Sequence, residues 1–338
     1  MDTNNSPAVY PRVTVLLAAY NEEQYVRQAI EPLLSQEYRG ELQIILSDDC
    51  SPDNTFEVMR RAAADYHGPH TVVLNQNPTN LGILAHFDRV TRELARGDII
   101  IFHGGDDIAR PGYIQTVADV FLAHKECIYA SFAYTPINEA GEVIGASSAG
   151  RGDKIRRFTR NDYFSGRFGW SGGPASAFRR EVISRFRPPM PNRGAYQETL
   201  VFYRSLCLGE ICFFNKDVIL YRKHTRSVSA SVKPQNRSEL MAGVYRQIHT
   251  DVDQALDQRL LTEEEAARFH RSVERESRFN CLRRLYESRG LLGRLAVLPR
   301  VLFTTGLKSR QKVLFIRDYF PGLAAVRSAA RRILRGRR

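Results

Sequence analysis

Acidic residues follow three hydrophobic segments in the first third of the chain, and each segment reads as a buried strand. Glu22 follows the first segment, Asp48 and Asp49 follow the second, and Asp106 and Asp107 follow a later one. Each pair alone could be a helix cap, since aspartate after a strand often bonds the next helix's backbone. Several carboxylates in one crevice instead suit a hard divalent cation that holds a diphosphate.

The alternation of strand-like and helix-like segments predicts a common edge for these carboxylates. The predicted strands are 13–18, 42–46, 71–74 and 98–102, and the helices between them are 22–36, 54–66 and 81–95. Strand, helix and strand at this spacing predict an α/β fold with a mainly parallel sheet flanked by helices. Ligands bind such sheets outside the carboxyl ends of the strands, where the acidic residues are expected.

The second half of the chain divides into an irregular part and a helical part. Residues 136–235 are richer in Gly, Pro and Arg and read as less regular, whereas the chain reads as helical from Ser238 onward. Thr262 and Glu265 form a capping box that predicts a helix start. We place a domain boundary at residue 235, so that 1–235 is the α/β domain and 236–338 a basic, mainly α-helical extension.

Cysteine usage and hydropathy exclude several classes of protein. The five cysteines have no CxxC spacing, so neither a disulfide framework nor a zinc site is indicated, and a reducing cytoplasm fits best. We expect no signal peptide in residues 1–7, which lack a basic and an apolar region. No apolar stretch reaches the roughly 20 residues that a spanning helix needs. Neither a Walker A motif nor a GxGxxG fingerprint follows the first strand.

The ordered motifs resemble those of the family 2 glycosyltransferases, nucleotide-sugar enzymes with a GT-A fold. The resemblance covers residues 11–230 and includes the segment Ile-Ile-Leu-Ser-Asp-Asp-Cys-Ser-Pro-Asp-Asn-Thr at 44–55. The other matching segments are 13–22, 80–82, 97–111, 178–180, 197–204 and 221–224. Residues 1–235 would then be the GT-A catalytic domain, and transfer would proceed with inversion.

The resemblance implies a role for individual residues. Nucleotide-sugar contacts are implied for Ala18, Tyr20, Glu22, Asp49, Gly82 and Asp106. Of these, Asp49 would accept a hydrogen bond from the nucleotide base. Asp106 and His224 would hold a divalent metal, Mg²⁺ or Mn²⁺, on the donor diphosphate, and Glu198 would be the general base. Trp170 lies in a loop-like, glycine-rich stretch, where stacking on a sugar ring and anchoring of the loop are both open.

Two positions depart from the family pattern. The metal motif is commonly Asp-x-Asp-Asp, but here Gly104 stands in place of the first carboxylate. Magnesium usually takes only one or two protein carboxylates, so Asp106, His224 and the donor phosphates can still complete a shell. Gln197-Glu198 replaces the usual Glu-Asp, and glutamate can take a hydroxyl proton as aspartate does, with a longer reach.

The C-terminal tail carries most of the positive charge. Residues 268–338 contain 19 Arg or Lys against 4 Asp or Glu, a net of +15, whereas the whole chain has +12. Leu323, Val326, Ile333 and Leu334 fall on one predicted helical face, which favours an anionic membrane surface as partner. The alternative is a solvated helix packed on the catalytic domain, and sparse aromatics argue against nucleic acid.

Three functional readings follow. The first is a glycosyltransferase at the cytoplasmic face of the cell membrane that builds a cell-surface glycan on a glycan or lipid-linked acceptor. A sugar nucleotidyltransferase would carry a glycine-rich, basic loop after strand one, where this chain has Ala19-Tyr20-Asn21-Glu22. A non-catalytic nucleotide-sugar-binding module is the third, and Gly104 is the feature that keeps it open.

Overall fold

A computed structural model describes residues 9–149, 152, 155–165, 174–189, 197–225, 227 and 234–287, without the side chains of 234–240 and 283–287. The strands are β1 (Val13–Ala19), β2 (Leu42–Asp48), β3 (Thr71–Gln76), β4 (Ile99–Gly104), β5 (Ile108–Ala109), β6 (Cys127–Ile137), β7 (Arg156–Phe158), β8 (Ser176–Arg179) and β9 (Glu210–Arg222). The helices are α1 (Val26–Leu34), α2 (Thr55–Ala64), α3 (Ile83–Leu94), α4 (Tyr113–Ala123), α5 (Arg160–Ser165), α6 (Glu181–Ser184), α7 (Gln197–Leu208), α8 (Pro234–Asp257) and α9 (Glu263–Glu287).

The described strands form one sheet in the order β3-β2-β1-β4-β8-β6-β9-β5, with β7 paired to β9. The first four strands in this order are mutually parallel, β8 is antiparallel to both of its neighbours, and β6 runs parallel to β9. The predicted α/β fold class is therefore confirmed, and so are the four predicted strands. Their carboxyl ends meet at one edge, as parallel pairing requires.

The first helix begins later than predicted. The periodic pattern placed its start at residue 22, whereas α1 starts at Val26. Residues 21–25 form a turn instead, in which the Glu22 carbonyl accepts hydrogen bonds from Tyr25 and Val26. Asn21 has φ +61°, a left-handed backbone conformation that hydrophobic periodicity does not report.

The reading of residues 136–235 as less regular was wrong for much of their length. This part contributes β8, α7 and the 13-residue strand β9 to the fold. β9 pairs with β6 through register shifts around Phe132, Ala133 and Tyr134, where extra residues interrupt the alternation. Such irregular pairing removes the two-residue period on which a strand prediction depends.

The sheet is buried on both faces, which explains the continuous apolar runs of β1 and β2. Leu16 of β1 packs in one cluster with Phe87 of α3, whereas Val15 and Leu17 pack in the other with Ile30 of α1. The first cluster continues into α7, α8 and α9, where Phe269 is fully buried. The helices of the extension thus complete the core on one side of the sheet.

A buried ion pair joins the extension to α7. Arg204 is fully buried, and its guanidinium donates to both Asp251 carboxylate oxygens, at 2.6 and 3.2 Å.

The capping box at α9 is confirmed, since Glu265 N–H donates to Thr262 Oγ1 and Thr262 N–H to Glu265 Oε2. The boundary at residue 235 stays a prediction, and the core is continuous across it. Within the described residues, no helix is long and apolar enough to cross a membrane.

Candidate active site

The end of β1 brings the three acidic turns together. Gly105 N–H donates to the Ala18 carbonyl at 3.0 Å, and Asp49 N–H donates to the Ala19 carbonyl at 3.0 Å. The turns after β4 and β2 are therefore both bonded to the last residues of the strand between them. This places the turn that carries Glu22 between the Asp48-Asp49 turn and the Asp106-Asp107 turn.

The turn after β1 is fixed by side chains from the turn after β2. Ser51 Oγ accepts the Asn21 N–H at 2.9 Å, and Thr55 Oγ1 accepts the Glu22 N–H at 2.8 Å. Ser51 in turn donates to Asp48, whose carboxylate also accepts the Ser51 N–H. The serine and threonine of the 44–55 segment thus hold Glu22 in place, a role that the sequence analysis did not assign.

Asp49 closes the loop that leads into α3. Its carboxylate accepts hydrogen bonds from Asn77 Nδ2 at 2.7 Å, Leu81 N–H at 3.0 Å and Gly82 N–H at 2.9 Å. Gly82 lies immediately before α3 with φ +79°, a conformation that favours glycine. Asp49 therefore shapes this side of the crevice, and its contact with a nucleotide base stays a prediction. Tyr20 is 47% exposed and free to face a ligand.

Asp106 and His224 form a direct pair at the crevice. His224 Nε2 lies 2.8 Å from Asp106 Oδ2, and this hydrogen bond raises the pKa of His224 above its ordinary value. Glu22 joins them, since ligand atoms of Glu22, Asp106 and His224 all lie within 4.8 Å of one another. The structure thus brings together three of the residues that the resemblance singled out.

Arg222 holds the Asp106 turn against α1 and the end of β6. Its fully buried guanidinium donates to the Asp106 carbonyl at 2.9 Å, the Glu139 carbonyl at 2.7 Å and Gln28 Oε1 at 2.6 Å. The same group lies 4.7 Å from the centre of the Tyr25 ring, within cation–π range. Sequence analysis matched the 221–224 segment as a family motif but missed this role.

Asp107, His103 and His86 are structural groups behind the crevice. Asp107 accepts the Arg222 N–H at 3.0 Å, and burial raises the pKa of its carboxyl well above the ordinary value. Burial lowers the pKa of His103 to about 4, and its Nε2 lies 3.2 Å from the Asp107 carbonyl. His86 Nε2 lies 2.6 Å from Ser47 Oγ, and burial lowers its pKa, so His86 is a neutral core residue.

Glu22, Asp106 and His224 together provide the donor set of a divalent cation site. Mn²⁺ can be coordinated by two carboxylates and an imidazole, whereas Mg²⁺ prefers the carboxylate oxygens. The second ring nitrogen of His224, Nδ1, is buried and has no hydrogen-bond partner among the described residues. A Cβ on Gly104 would lie 2.6 Å from Asp106 Oδ1, so Asp106 uses space next to the missing side chain. These residues fit the implied metal.

Glu198 lies in the first turn of α7. Burial raises the pKa of its carboxyl to about 7, and the pKa of Tyr129 on β6 is raised by burial and, to a smaller extent, by the charge of Glu198. The adjacent strand β8 places Ser176 opposite Phe102, near the carboxyl end of β4. Glu198 therefore approaches from the β6 and β8 side of the sheet and is not part of the Glu22, Asp106 and His224 group. Trp170 lies outside the described residues.

The overall structure is that of a GT-A protein. S. aureus TarS, in the structure of its residues 1–349 in complex with UDP-GlcNAc, superposes with a TM-score of 0.61 at 16% identity. The match covers 89% of this chain and 82% of that one, and at such low identity it shows the fold alone.

Sequence comparison identifies the family. The model of glycosyl transferase family 2 matches residues 14–187, and this chain belongs to that family. An uncharacterized glycosyltransferase of Nostoc sp. is 22% identical over 69% of this chain and 72% of its own length. The putative glycosyltransferase EpsE of Bacillus subtilis is 36% identical over 34% of this chain, and the match spans 40% of EpsE.

The position of Arg222 leads to a prediction about stability. Arg222→Ala should lower the free energy of unfolding by about 3 kcal/mol or more, because several buried acceptors lose their donor at roughly 1–3 kcal/mol each. Arg222→Lys should restore little of this, since an ammonium group cannot span the same acceptors. Urea denaturation followed by circular dichroism measures the difference.

Arg27 on α1 provides the control. Its side chain is 56% exposed and pairs with Glu31 on the surface, so Arg27→Ala should cost less than about 1 kcal/mol. Equal losses in the Arg27 and Arg222 variants would show that the buried guanidinium does not hold the crevice together.

Proposed function

We propose that this protein transfers a sugar from a nucleotide-diphosphate donor to an acceptor hydroxyl, with inversion at the anomeric carbon and a divalent metal. The observation that carries the proposal is the Asp106–His224 pair beside Glu22 at the carboxyl edge of a family 2 sheet. S. aureus TarS has been solved with UDP-GlcNAc and with UDP, which supports a nucleotide-sugar donor for a chain of this fold.

The donor half of the reaction follows from the charges around Asp106. The bond between the anomeric carbon and the diphosphate oxygen breaks, and negative charge accumulates on the leaving nucleoside diphosphate. Asp106 and His224 would hold a divalent metal, which would supply positive charge to that leaving group. The Asp106 hydrogen bond raises the pKa of His224 in the metal-free crevice, and His224 would have to lose its proton to bind the metal, since only a neutral imidazole is a ligand.

The acceptor half of the reaction requires a base, and we assign it to Glu198. The acceptor oxygen attacks the anomeric carbon while its proton passes to the Glu198 carboxylate. A carboxyl whose pKa is about 7 is a stronger base than an exposed glutamate and is still partly ionised near neutrality.

We further propose that the acceptor belongs to a growing cell-surface glycan or a lipid-linked glycan, on the cytoplasmic face of the membrane. The supporting feature is the basic tail, of which residues 288–338, including the apolar stripe, lie outside the described part of the chain. Each basic residue near an anionic leaflet contributes on the order of 1 kcal/mol of binding. A membrane-bound enzyme would meet a lipid-linked acceptor in two dimensions.

The role of Glu198 gives a kinetic prediction. Glu198→Gln should lower kcat by about 100-fold or more, within the usual range for a lost general base, and leave donor affinity unchanged. In the wild-type protein, kcat should fall as the pH drops below about 7, because the base becomes protonated. Steady-state kinetics across this pH range measure both effects.

Glu93→Gln is a suitable control, because Glu93 is 58% exposed on α3 and pairs with Arg89. It should keep wild-type kcat. A Glu198→Gln enzyme with wild-type turnover, or with a donor affinity that falls as far as kcat does, would assign the base to another residue.

The tail gives a second prediction. The full chain should sediment with anionic vesicles, and binding should weaken as salt screens charges over roughly 8 Å at 0.15 M ionic strength. Truncation after Gly290 keeps every described residue, so it should abolish vesicle binding and preserve donor binding. A full-length variant with glutamine at Arg331, Arg332, Arg335, Arg337 and Arg338 should bind more weakly and with a smaller salt dependence, because residues 268–338 fall from a net charge of +15 to +10 while the apolar stripe is unchanged. Undiminished sedimentation of the truncated chain would exclude the tail as the anchor.

A further inference from the structure

The Glu22 side chain lies beside the Asp106–His224 pair, although family resemblance implies only a nucleotide contact for it. We infer that Glu22 is a direct ligand of the divalent cation and that the chain binds this cation through Glu22, Asp106 and His224 before the donor arrives. The inference rests on the proposed function, since it concerns the same crevice. It adds a ligand and an order of binding that the family motif does not supply.

The spacing of the three side chains suits one coordination shell. Octahedral ligands at 2.0–2.1 Å from a cation lie about 3 Å apart when adjacent and about 4 Å apart when opposite. His224 Nε2 and Asp106 Oδ2 are already separated by the adjacent spacing, at 2.8 Å. Since all three ligand atoms lie within 4.8 Å of one another, Glu22 needs only a small movement to complete the set.

The backbone around Glu22 is held against the segment that carries His224. Thr55 fixes the Glu22 N–H, and the Glu22 carbonyl accepts the N–H groups of Tyr25 and Val26 at the start of α1. In the same turn, the Tyr25 ring packs on the His224 ring with centroids 5.0 Å apart, and Arg222 covers Tyr25. Two segments nearly 200 residues apart in sequence are therefore packed against each other, with Glu22 and His224 both close to Asp106.

Gly104 explains why a carboxylate from the turn after β1 is needed. The first acidic residue of the usual metal motif would stand at this position, but a Cβ there would lie 2.6 Å from Asp106 Oδ1 and 3.3 Å from Asp107 Oδ2. Asp106 occupies this space as it bonds His224. The turn after β4 thus offers one carboxylate to the crevice, and the neighbouring turn after β1 offers the second.

A third ligand from the protein would allow the metal to bind before the donor. With Asp106 and His224 alone, a cation would depend on the donor phosphates to complete its shell. Two carboxylates and an imidazole provide two negative charges and three ligand atoms, and affinity rises with ligand charge and number. Because one of the three ligands is an imidazole, Mn²⁺ should bind more tightly than Mg²⁺.

The test is Mn²⁺ binding to the full-length protein in the absence of nucleotide, measured by electron paramagnetic resonance of the free ion. Wild-type protein should bind one Mn²⁺, and Glu22→Gln should raise the Kd for Mn²⁺ by about tenfold or more. Glu23→Gln is the matched control, because Glu23 is the next residue, is exposed, and bonds Asn54 instead. It should bind Mn²⁺ as the wild-type protein does.

Two results overturn the inference. One is equal Mn²⁺ affinity in the wild-type and Glu22→Gln proteins, and the other is no Mn²⁺ binding by the wild-type protein without nucleotide. Glu22→Asp keeps the charge and shortens the side chain, so it should bind with intermediate affinity, and it serves where Glu22→Gln does not fold. Turnover of nucleotide sugars is measured separately. Turnover without Glu22-dependent Mn²⁺ binding would contradict this inference alone. The absence of turnover with any nucleotide sugar would contradict the proposed function.

Discussion

The Arg222 guanidinium is fully buried and bonds acceptors from three separate parts of the chain. It joins the Asp106 turn, the end of β6 and α1, while its own backbone N–H bonds Asp107. Burying a guanidinium is costly unless its donors are satisfied, so these parts must assemble together or not at all. The result is a set of charged groups fixed in position before any ligand binds, which is what electrostatic stabilisation of a leaving group requires.

The far side of the crevice depends on the C-terminal helices in a similar way. Asp251 of α8 pairs with Arg204 of α7, and Glu276 of α9 accepts the Tyr203 hydroxyl at 2.6 Å. Two consecutive residues of the helix that carries Glu198 are thus held by carboxylates of the extension. The first two helices of the extension therefore support the helix that carries Glu198, and any separable membrane anchor must lie after them.

The sequence predicted those features of the fold that depend on local patterns. β1 to β4 are continuous apolar runs with helices between them, and the rule for parallel sheets placed the acidic turns at one edge. The roles of Arg222 and Thr55 were not predictable, because their partners lie far away along the chain. β9 was not predicted as a regular strand either, because its register shifts depend on pairing with β6, which is also far away along the chain. Asp49 shows a further limit, since a family motif names the residue but not its bonds to Leu81 and Gly82.

Turnover of nucleotide-diphosphate sugars by wild-type protein and Asp106→Ala, with and without Mn²⁺, tests the central claim most directly. The wild-type protein should release nucleoside diphosphate in a metal-stimulated reaction, and Asp106→Ala should lose this activity while it unfolds at the same temperature. Asp119→Ala, at an exposed position on α4, should behave as the wild-type protein does. Metal-stimulated turnover in Asp106→Ala close to the wild-type rate would contradict the assignment of this crevice as the donor site.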